Sequence, residues 1–335
     1  MTGRVVTASH RAAVRSPAGE VYRLLADLDS WPRIFAPFVH LERLGPAEQR
    51  GPAQGPAAEG TERIGMWSVF DDTVEHWVVR RRCDEAALRL DFWPEAPPPP
   101  VASTRRSWLV EPASAHTCVV RLEQECRVGG ADPGAADEVA DAMEELGRRE
   151  LAAVLAAAET AALSPELLVT VEDTVPVAAG RAAVYAALHR AADWPSFLAH
   201  VARAETRDFD AGGQLLETDT VEAHGGTFTT RAARVGIAPG RIAYKQLLLP
   251  PLGASHHVRW DIEERPGGCA VTSRQTVVLR PAGVAAVLGD DADIEAARGF
   301  VRSELSGKVR LILQGVRNHL ADRGEDAAPA EDAER

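Results

Sequence analysis

The side chains best suited to chemistry are concentrated in and around Tyr244–Trp260, YKQLLLPPLGASHHVRW. A histidine has a reference pKa of about 6.5, so His256 and His257 are candidates to take a proton and return it near neutral pH. Arg231, earlier in the chain, keeps its positive charge and is suited to hold a carbonyl or anionic oxygen rather than to act as a base. The hydroxyl of Tyr244 can position a second hydroxyl group or a water molecule. These residue types together predict a site for proton transfer.

Strand alternation predicts which of these side chains share a face. After the Pro-Pro break, Val258, Trp260 and Ile262 share the inward face, so His256 is expected to point inward and His257 outward. The same argument places further polar residues inside: Thr227, Thr229, Arg231, Tyr244, Gln246, Ser273 and Gln275. Arg234 is expected to face water.

So much inward polarity favours a wet or ligand-filled cavity, because each unpaired buried polar group costs about 1–3 kcal/mol. The alternative is an internal hydrogen-bond network that binds no ligand. For Arg231 the alternative is an ion pair with a helix carboxylate such as Asp293 or Glu304.

The stretch has a faint copy earlier in the chain, Phe92–Trp108, FWPEAPPPPVASTRRSW. A constant spacing of 152 residues separates Trp108 from Trp260 and the other matching positions, and this predicts a duplicated domain. Thr104 stands where the second copy has His256. The first copy contributes aromatic and polar residues to the predicted inner face: Trp67, Trp77, Phe92, Arg106, Trp108 and Gln124. Aromatic residues at such positions favour a packed core, although their density would also suit a flat ligand that stacks.

Each copy is read as a strand, a helix, a short helix, an antiparallel run of strands and a long last helix, an α+β arrangement. The sheet is expected to curve around the long helix and to leave an internal cavity. The predicted strands of the second copy are Leu168–Val177, Leu215–Ala223, Thr227–Val235, Arg241–Leu249, Ser255–Glu263 and Ala270–Leu279, and its long helix is Ala292–Leu320. The predicted divisions are an N-terminal domain (1–163), a C-terminal domain (164–321) and a disordered acidic tail (322–335), with a surface loop at 45–60.

Composition excludes several classes of protein. The net charge of −12 over 335 residues argues against nonspecific nucleic-acid binding. The four cysteines show no zinc-ligand spacing, so neither a metal site nor a disulfide framework is expected. The chain shows neither a signal peptide nor an apolar run long enough to span a membrane. A cytoplasmic protein with reduced, mostly buried thiols is expected.

With these motifs in view, the chain resembles the didomain aromatase/cyclases of bacterial type II polyketide synthases. The resemblance rests on the Trp-Pro pairs after each first helix and on GGTFTTRAARV, YKQLLLPP, ASHHVRW and TSRQTVVL. It implies two tandem START-like helix-grip domains and an enzyme that needs no cofactor. It also implies a poly-β-ketone carried by an acyl carrier protein and already reduced by a ketoreductase. The enzyme would close the first ring by aldol condensation, typically C7–C12, and dehydrate it to an aromatic ring.

The resemblance also implies roles for single residues. The pocket arginine of the family falls on Arg231, and the polar position after the Pro-Pro segment falls on His256 or His257. The sequence departs from its relatives at Gln275, where they often have histidine, and at Lys308, where the last helix often has asparagine. The expected catalytic set is Arg231, Tyr244, His256, His257, Ser273 and Gln275; the expected binding set is Thr229, Gln246, Trp260 and Lys308, with Trp67, Trp77, Phe92, Arg106, Trp108 and Gln124 of the first half.

Two other hypotheses remain open on the sequence alone. One is a START-type protein that binds a lipid or polyketide without catalysis. The other is a division in which one half is catalytic and the other is structural or docks a partner. Docking of an acidic carrier protein would use local basic residues, of which the candidates are Arg80–Arg82, Arg105, Arg148, Arg149, Arg302, Lys308 and Arg310.

Overall fold

The structure is a computed structural model that describes residues 3–45, 60–130, 134–221 and 226–326. The chain divides into two compact units, one with Met1–Ser68 and His76–Pro165, the other with Val69–Glu75 and Glu166–Arg335. The surface loop predicted at 45–60 lies, apart from its two ends, outside the described residues.

The described residues of the first half form seven strands and three α-helices. The strands are β1 (Arg4–Val14), β2 (Phe38–Leu44), β3 (Thr61–Phe70), β4 (Thr73–Asp84), β5 (Arg89–Pro94), β6 (Val101–Pro112) and β7 (Cys118–Val128). The helices are α1 (Ala18–Ala26), α2 (Trp31–Ile34) and α3 (Ala135–Leu163).

The second half repeats this order. Its strands are β8 (Leu168–Val177), β9 (Val201–Asp208), β10 (Gly213–Val221), β11 (Thr227–Ile237), β12 (Arg241–Gln246), β13 (Gly253–Arg265) and β14 (Gly268–Leu279). Its helices are α4 (Arg181–His189), α5 (Val284–Leu288) and α6 (Ile294–Asp326).

Both halves form a seven-stranded antiparallel sheet with the same strand order. The first is β1-β7-β6-β5-β4-β3-β2 and the second is β8-β14-β13-β12-β11-β10-β9. The last strand of each sheet therefore pairs with the first, and the long helix that follows packs back on both, α3 on β1 and β7, and α6 on β8 and β14. This is the helix-grip arrangement, and it confirms the predicted α+β class and the duplication.

Each interior contains apolar side chains from one face of the sheet and one side of the long helix. In the first unit Leu90, Leu122 and Val154 are among the fully buried members of the core cluster. In the second unit Trp260 and Leu313 belong to the corresponding cluster. Alternation along the strands puts these side chains on one face, and their burial is the main favourable contribution to folding.

A tryptophan after the first helix of each half ties that helix to the chain that follows. Trp31 Nε1 donates to the Leu25 carbonyl at 2.8 Å, and Trp194 Nε1 donates to the Ala187 carbonyl at 3.1 Å. The Trp-Pro pairs of the sequence thus mark a structural repeat.

In each half, a buried arginine donates hydrogen bonds to carbonyl groups at the C-terminal end of the first helix. Arg81 on β4 donates to the carbonyl of Ala26, the last residue of α1, at 2.7 Å. Arg234 on β11 donates to the Leu188 carbonyl in the last turn of α4 at 2.8 Å, and to Gln214 Oε1 at 2.6 Å. Both arginine side chains are 1% exposed. They satisfy carbonyls that a helix terminus leaves without partners, so the expectation that Arg234 faces water is wrong.

Two further expectations need correction. The second copy contains a strand, β9, where none was predicted. The last helix continues to Asp326, so residues 322–326 are helical and not part of a disordered tail, while residues 327–335 lie outside the described residues.

The four cysteines are free thiols, three of them buried and Cys83 exposed. None of the described helices is both long and apolar enough to cross a membrane.

Candidate active site

The inner face of the second sheet brings together five of the predicted polar residues. Pairing across β11, β12, β13 and β14 aligns Arg234, Tyr244, Val258 and Gln275 in one row, and Trp260 with Ser273 in another. His256 and Gln246 have the same parity as Val258 and Tyr244 in their strands, so they share this face. It is the face that packs against α6.

His256 is held by a hydrogen-bond chain that begins on α6. Its Nε2 lies 3.0 Å from Gln275 Oε1, and Gln275 Nε2 donates to the Leu305 carbonyl at 3.4 Å. Burial lowers the pKa of His256 to about 4; the bond to Gln275 opposes this shift and the charge of Lys308 adds to it. The imidazole is therefore uncharged at neutral pH.

Tyr244 lies on the same inner face, opposite Val258 and two positions along β13 from His256, and its pKa is shifted in the opposite sense. Burial raises the pKa of Tyr244 to about 12, with the Arg234 charge opposing the shift. The phenol ring stands edge-on to Trp260, with ring centroids 5.6 Å apart. The hydroxyl has no hydrogen-bond partner among the described residues, and it stays protonated, so it is available as a donor.

Several of these groups are only partly enclosed. Tyr244 and His256 are deep enough for burial to change their pKa values strongly, yet both side chains remain partly exposed. Gln246 Oε1 is buried without a hydrogen-bond partner among the described residues. Ser273, by contrast, is 1% exposed and its Oγ accepts from Trp260 Nε1 at 3.0 Å. Ser273 therefore orients the indole of Trp260.

Arg231 does not lie on this face. Arg231 pairs with Glu217 of β10 and lies three residues before Arg234 on β11, so the two arginine side chains point to opposite faces. The guanidinium of Arg231 forms an ion pair with Asp72 at 2.7 Å. Thr229 lies on the same outer face, where its hydroxyl donates to Asp219 at 2.7 Å. The prediction that Arg231 and Thr229 line the inner face is wrong.

His257 points away from the inner face, as alternation predicts, but it is buried rather than exposed, with 8% of its surface accessible. Lys308 lies on α6 one turn after Leu305 and is exposed. Burial lowers the pKa of both His256 and His200, and the charge of Lys308 adds to each shift. His200 was missed by the sequence argument because it lies between elements, where no periodicity indicates its direction.

The inner face of the first unit is filled by aromatic rings. Trp31, Phe35 and Phe92 are neighbours, with the Trp31 ring 5.0 Å from each of the other two centroids, and Phe35 lies 6.2 Å from Trp108. Trp77 packs against the same core. These contacts are those of a packed core.

Three other first-half residues have partners that explain them. Arg106 forms a two-pronged ion pair with Glu150 of α3. Gln124 Nε2 donates to the Met143 carbonyl of the same helix at 3.2 Å. Trp67 follows the core residue Met66 and therefore points to the other face of β3, contrary to prediction; its ring lies 4.4 Å from that of His76.

Within the described ranges, no three histidine, cysteine, aspartate or glutamate side chains are grouped as metal ligands would be. The polar side chains on the inner face of the second unit are an imidazole, a phenol, a hydroxyl, a guanidinium and two amide groups.

Comparison with known proteins places this chain in a family. Residues 177–298 match the family described as polyketide cyclase / dehydrase and lipid transport. The granaticin polyketide synthase bifunctional cyclase/dehydratase of Streptomyces violaceoruber is 35% identical over 298 residues, which is 88% of each chain. The actinorhodin polyketide synthase bifunctional cyclase/dehydratase of Streptomyces coelicolor is 34% identical, over 91% of this chain and 94% of that protein.

Solved structures agree with the sequence matches. The di-domain ARO/CYC BexL from the BE-7585A biosynthetic pathway superposes with a TM-score of 0.84 at 39% identity, covering 93% of this chain and 98% of that one. The di-domain ARO/CYC StfQ from the steffimycin biosynthetic pathway gives a TM-score of 0.82 at 29% identity, covering 95% and 99%. The chain matches these proteins in sequence and in fold over nearly its whole length, and it belongs to the family of didomain polyketide aromatase/cyclases, the bifunctional cyclase/dehydratases of polyketide synthases.

Proposed function

We propose that this enzyme folds a ketoreduced poly-β-ketone carried by an acyl carrier protein, closes its first ring by a C7–C12 aldol condensation and dehydrates the ring to an aromatic product. The observation that carries the proposal is that an uncharged His256 and a protonated Tyr244 share the inner face of the second unit, with Tyr244 opposite Val258 in the next row. Aldol closure needs a base to remove a methylene proton and a donor to stabilise the oxygen that becomes negative.

The chemistry needs no external reagent. His256 takes a proton from a methylene carbon between two ketones, and the electron pair left on that carbon forms the new bond to a carbonyl carbon. The alkoxide then takes the proton from the imidazolium. In dehydration the histidine removes the second proton of that carbon, and the hydroxyl departs with the proton returned to it, as water. The Tyr244 hydroxyl donates to the oxygen that carries negative charge.

Binding contributes as much as proton transfer. A poly-β-ketone reacts readily with itself, so holding one folded conformation selects which carbons meet. Gln246, with its unpaired Oε1, can accept a hydrogen bond from an enol hydroxyl of the chain. Trp260 is 1% exposed and stands edge-on to Tyr244, so it supports the tyrosine from within the core rather than offering a free surface to the substrate.

The two units differ in a way that supports a division of labour. The position of His256 in the second unit is occupied by Thr104 in the first, and the position of Tyr244 by Phe92. We assign the chemistry to the second unit and a structural or docking role to the first. Arg302 and Lys308 on α6 are exposed and have no ion-pair partner among the described residues, so they are our candidates to contact an acidic carrier protein.

The test is product analysis with a minimal synthase, a ketoreductase and this protein. We expect His256→Ala to remain folded and to divert the products to misfolded shunt compounds, with loss of the aromatised product on the order of 100-fold, the typical contribution of a general base. His116→Ala is the matched control, because His116 is an exposed histidine in the turn between β6 and β7. It should give the wild-type product ratio.

The competing function is a START-type protein that binds a polyketide or lipid without catalysing a reaction. Under that function His256→Ala would weaken ligand binding and leave the product ratio of the synthase unchanged. A wild-type product ratio from His256→Ala would therefore end the catalytic proposal.

A further inference from the structure

The hydrogen-bond chain from α6 to His256 has a direction. The Leu305 carbonyl can only accept, so the Gln275 group that faces it must be the amide nitrogen, which leaves Oε1 toward the imidazole. An amide oxygen can only accept, so the Nε2 that lies 3.0 Å away must carry a hydrogen. In a neutral imidazole the other nitrogen, Nδ1, then carries the lone pair.

We infer that Gln275 is a positioning residue, which holds His256 in the Nε2–H tautomer and so makes Nδ1 the atom that takes and returns the substrate proton. The inference rests on the proposed function and specifies how its base is prepared. Nδ1 is free to do this, because His256 has no second hydrogen-bond partner among the described residues.

The duplication supports the orientation of the amide. Gln124 in the first unit pairs with Arg106 across the strands, as Gln275 pairs with Val258, and it makes the same bond to the long helix, from Nε2 to the Met143 carbonyl at 3.2 Å. The first unit has Thr104 at the position of His256, and its nearby His10 comes from β1 and makes no hydrogen bond to Gln124 among the described residues, so the glutamine–helix bond belongs to the fold. The second unit adds a histidine at the free oxygen of an amide whose direction is already set.

The charged and titratable groups around His256 leave the ring neutral. Burial is the main reason that the imidazolium is disfavoured, the bond to Gln275 opposes it, and the charge of Lys308 on α6 adds to it. Tyr244 on β12 and Arg234 on β11 lie in the row of the sheet next to that of His256. The charge of Lys308 also acts on His200. The Asp173 carboxylate of β8 accepts hydrogen bonds from the Ser306 hydroxyl at 2.6 Å and from the Arg310 guanidinium at 3.1 Å. A neutral ring has two tautomers available, and the amide of Gln275 selects one.

The Nε2–H tautomer determines where each proton goes during the reaction. The proton leaves the methylene carbon for Nδ1, while Nε2–H keeps its bond to Gln275 Oε1, so the amide stabilises the imidazolium as it forms. The proton on Nδ1 then goes to the alkoxide, and the starting tautomer is restored. Without Gln275, part of the protein would carry its hydrogen on Nδ1 and could not take the proton at that atom.

The test reads the tautomer directly and separately from activity. Nitrogen NMR of protein labelled with ¹⁵N-histidine, with the His256 signals assigned by their loss in His256→Gln, should show Nε2 protonated and Nδ1 bare in the wild type. Gln275→Leu should mix the tautomers and lower formation of the aromatised product by about tenfold or more, a part of the usual contribution of a general base.

Gln275→Glu keeps an acceptor opposite Nε2 and adds a negative charge. It should keep the Nε2–H tautomer and move the acid limb of the pH–activity profile to higher pH, which loss of a purely structural bond would not do. Gln124→Leu removes the matching bond to the helix in the first unit, so its melting temperature shows how much of any change in Gln275→Leu is structural. If Gln275→Leu does not fold, Gln275→Glu and the wild-type spectrum decide.

A bare Nε2 in the wild type overturns the inference, and so does a Gln275→Leu protein with wild-type tautomer or wild-type products. The proposed function would survive each of those results, because it depends on His256→Ala. Conversely, wild-type products from His256→Ala would refute the proposed function whatever the tautomer.

Discussion

His256 and Tyr244 show how one physical cause can prepare two opposite partners. Burial disfavours whichever form is charged, so it lowers the pKa of the histidine to about 4 and raises that of the tyrosine to about 12. The result is a base without a proton and an acid that keeps its own, both on the same face of the sheet. The two side chains therefore do not neutralise each other, and a substrate can meet an acceptor and a donor at the same pH.

At the residue scale, we predict that the buried arginine of the second unit is structural. Arg234→Met would leave the Leu188 carbonyl and Gln214 Oε1 without partners, and each buried unsatisfied group costs about 1–3 kcal/mol. For a unit of this size we expect the melting temperature to fall by about 5–10 °C. Differential scanning calorimetry measures this.

Arg231→Met is the matched control, three residues away on the same strand. Arg231 is 37% exposed and its ion pair lies at the surface, where such pairs contribute little. Equal losses from the two substitutions would show that Arg234 is not the helix-capping residue that we describe.

The sequence could not distinguish these two arginines. Ala233 and Val235 mark the expected inner face by being apolar, but both are fully buried on the other face of β11. Where both faces of a strand are buried, alternation no longer indicates which one is inside. Only the pairing of Arg234 with Tyr244 settles the direction. His256 was easier to place, because its strand has its largest apolar residue, Trp260, on one face only.

At the element scale, the long helices lie so close to the sheets that some positions exclude a side chain. A Cβ built on Gly147 of α3 would lie 2.5 Å from Gln124 Nε2 and from the ring of His10. Glycine normally weakens a helix interior by about 1 kcal/mol relative to alanine. Its presence here is explained by the close contact between α3 and the strands β1 and β7.

We therefore predict that Gly147→Ala destabilises the protein by about 1–2 kcal/mol, because the cost of overpacking exceeds the gain in helix propensity. Gly299→Ala in α6 is the control, since nothing lies within 4 Å of a Cβ built there. It should stabilise the protein by up to about 1 kcal/mol. Thermal unfolding of both variants checks the signs, and a stabilising Gly147→Ala would contradict the close approach.

Most strands and helices could be predicted from the sequence because their pattern of apolar and polar residues is strongly periodic. β14, for example, alternates buried and accessible residues along almost its whole length. β9 was missed for a physical reason: it is the edge strand of its sheet, and of its residues only Val201 is buried. Edge strands often carry charge, which obscures the pattern that identifies a strand.

At the scale of the whole molecule, the two duplicated units share the residues that hold the fold together and differ in the residues on the inner face of the sheet. The Trp-Pro turn, the capping arginine and the glutamine that binds the long helix occur in both units. The inner face differs, with Phe92 and Thr104 in the first unit where Tyr244 and His256 stand in the second. What is shared thus explains the fold, and what differs explains where we place the chemistry.

The same burial also predicts how the whole protein responds to acid. Burial lowers the pKa values of His76, His189, His200 and His256, the last to about 4. Between the lowered values and about 6.5 the unfolded chain binds more protons than the folded one, so stability is fully present above pH 6.5 and is lost as the pH falls. Carboxylates contribute at lower pH: the guanidinium groups and the Ser107 hydroxyl around Asp91 hold its pKa far below its ordinary value.

We expect the melting temperature to fall steadily from pH 7 to pH 4, before most carboxylates titrate. His256→Gln should make this fall shallower, since the wild-type residue contributes up to about 3 kcal/mol across the window from pH 6.5 to 4. His116→Gln, which replaces an exposed histidine, should follow the wild type. Calorimetry at half-unit pH steps makes the comparison. A wild-type slope in His256→Gln would mean that His256 has the same pKa in the folded and unfolded chains, and it would contradict the lowering of that pKa by burial on which the uncharged base rests.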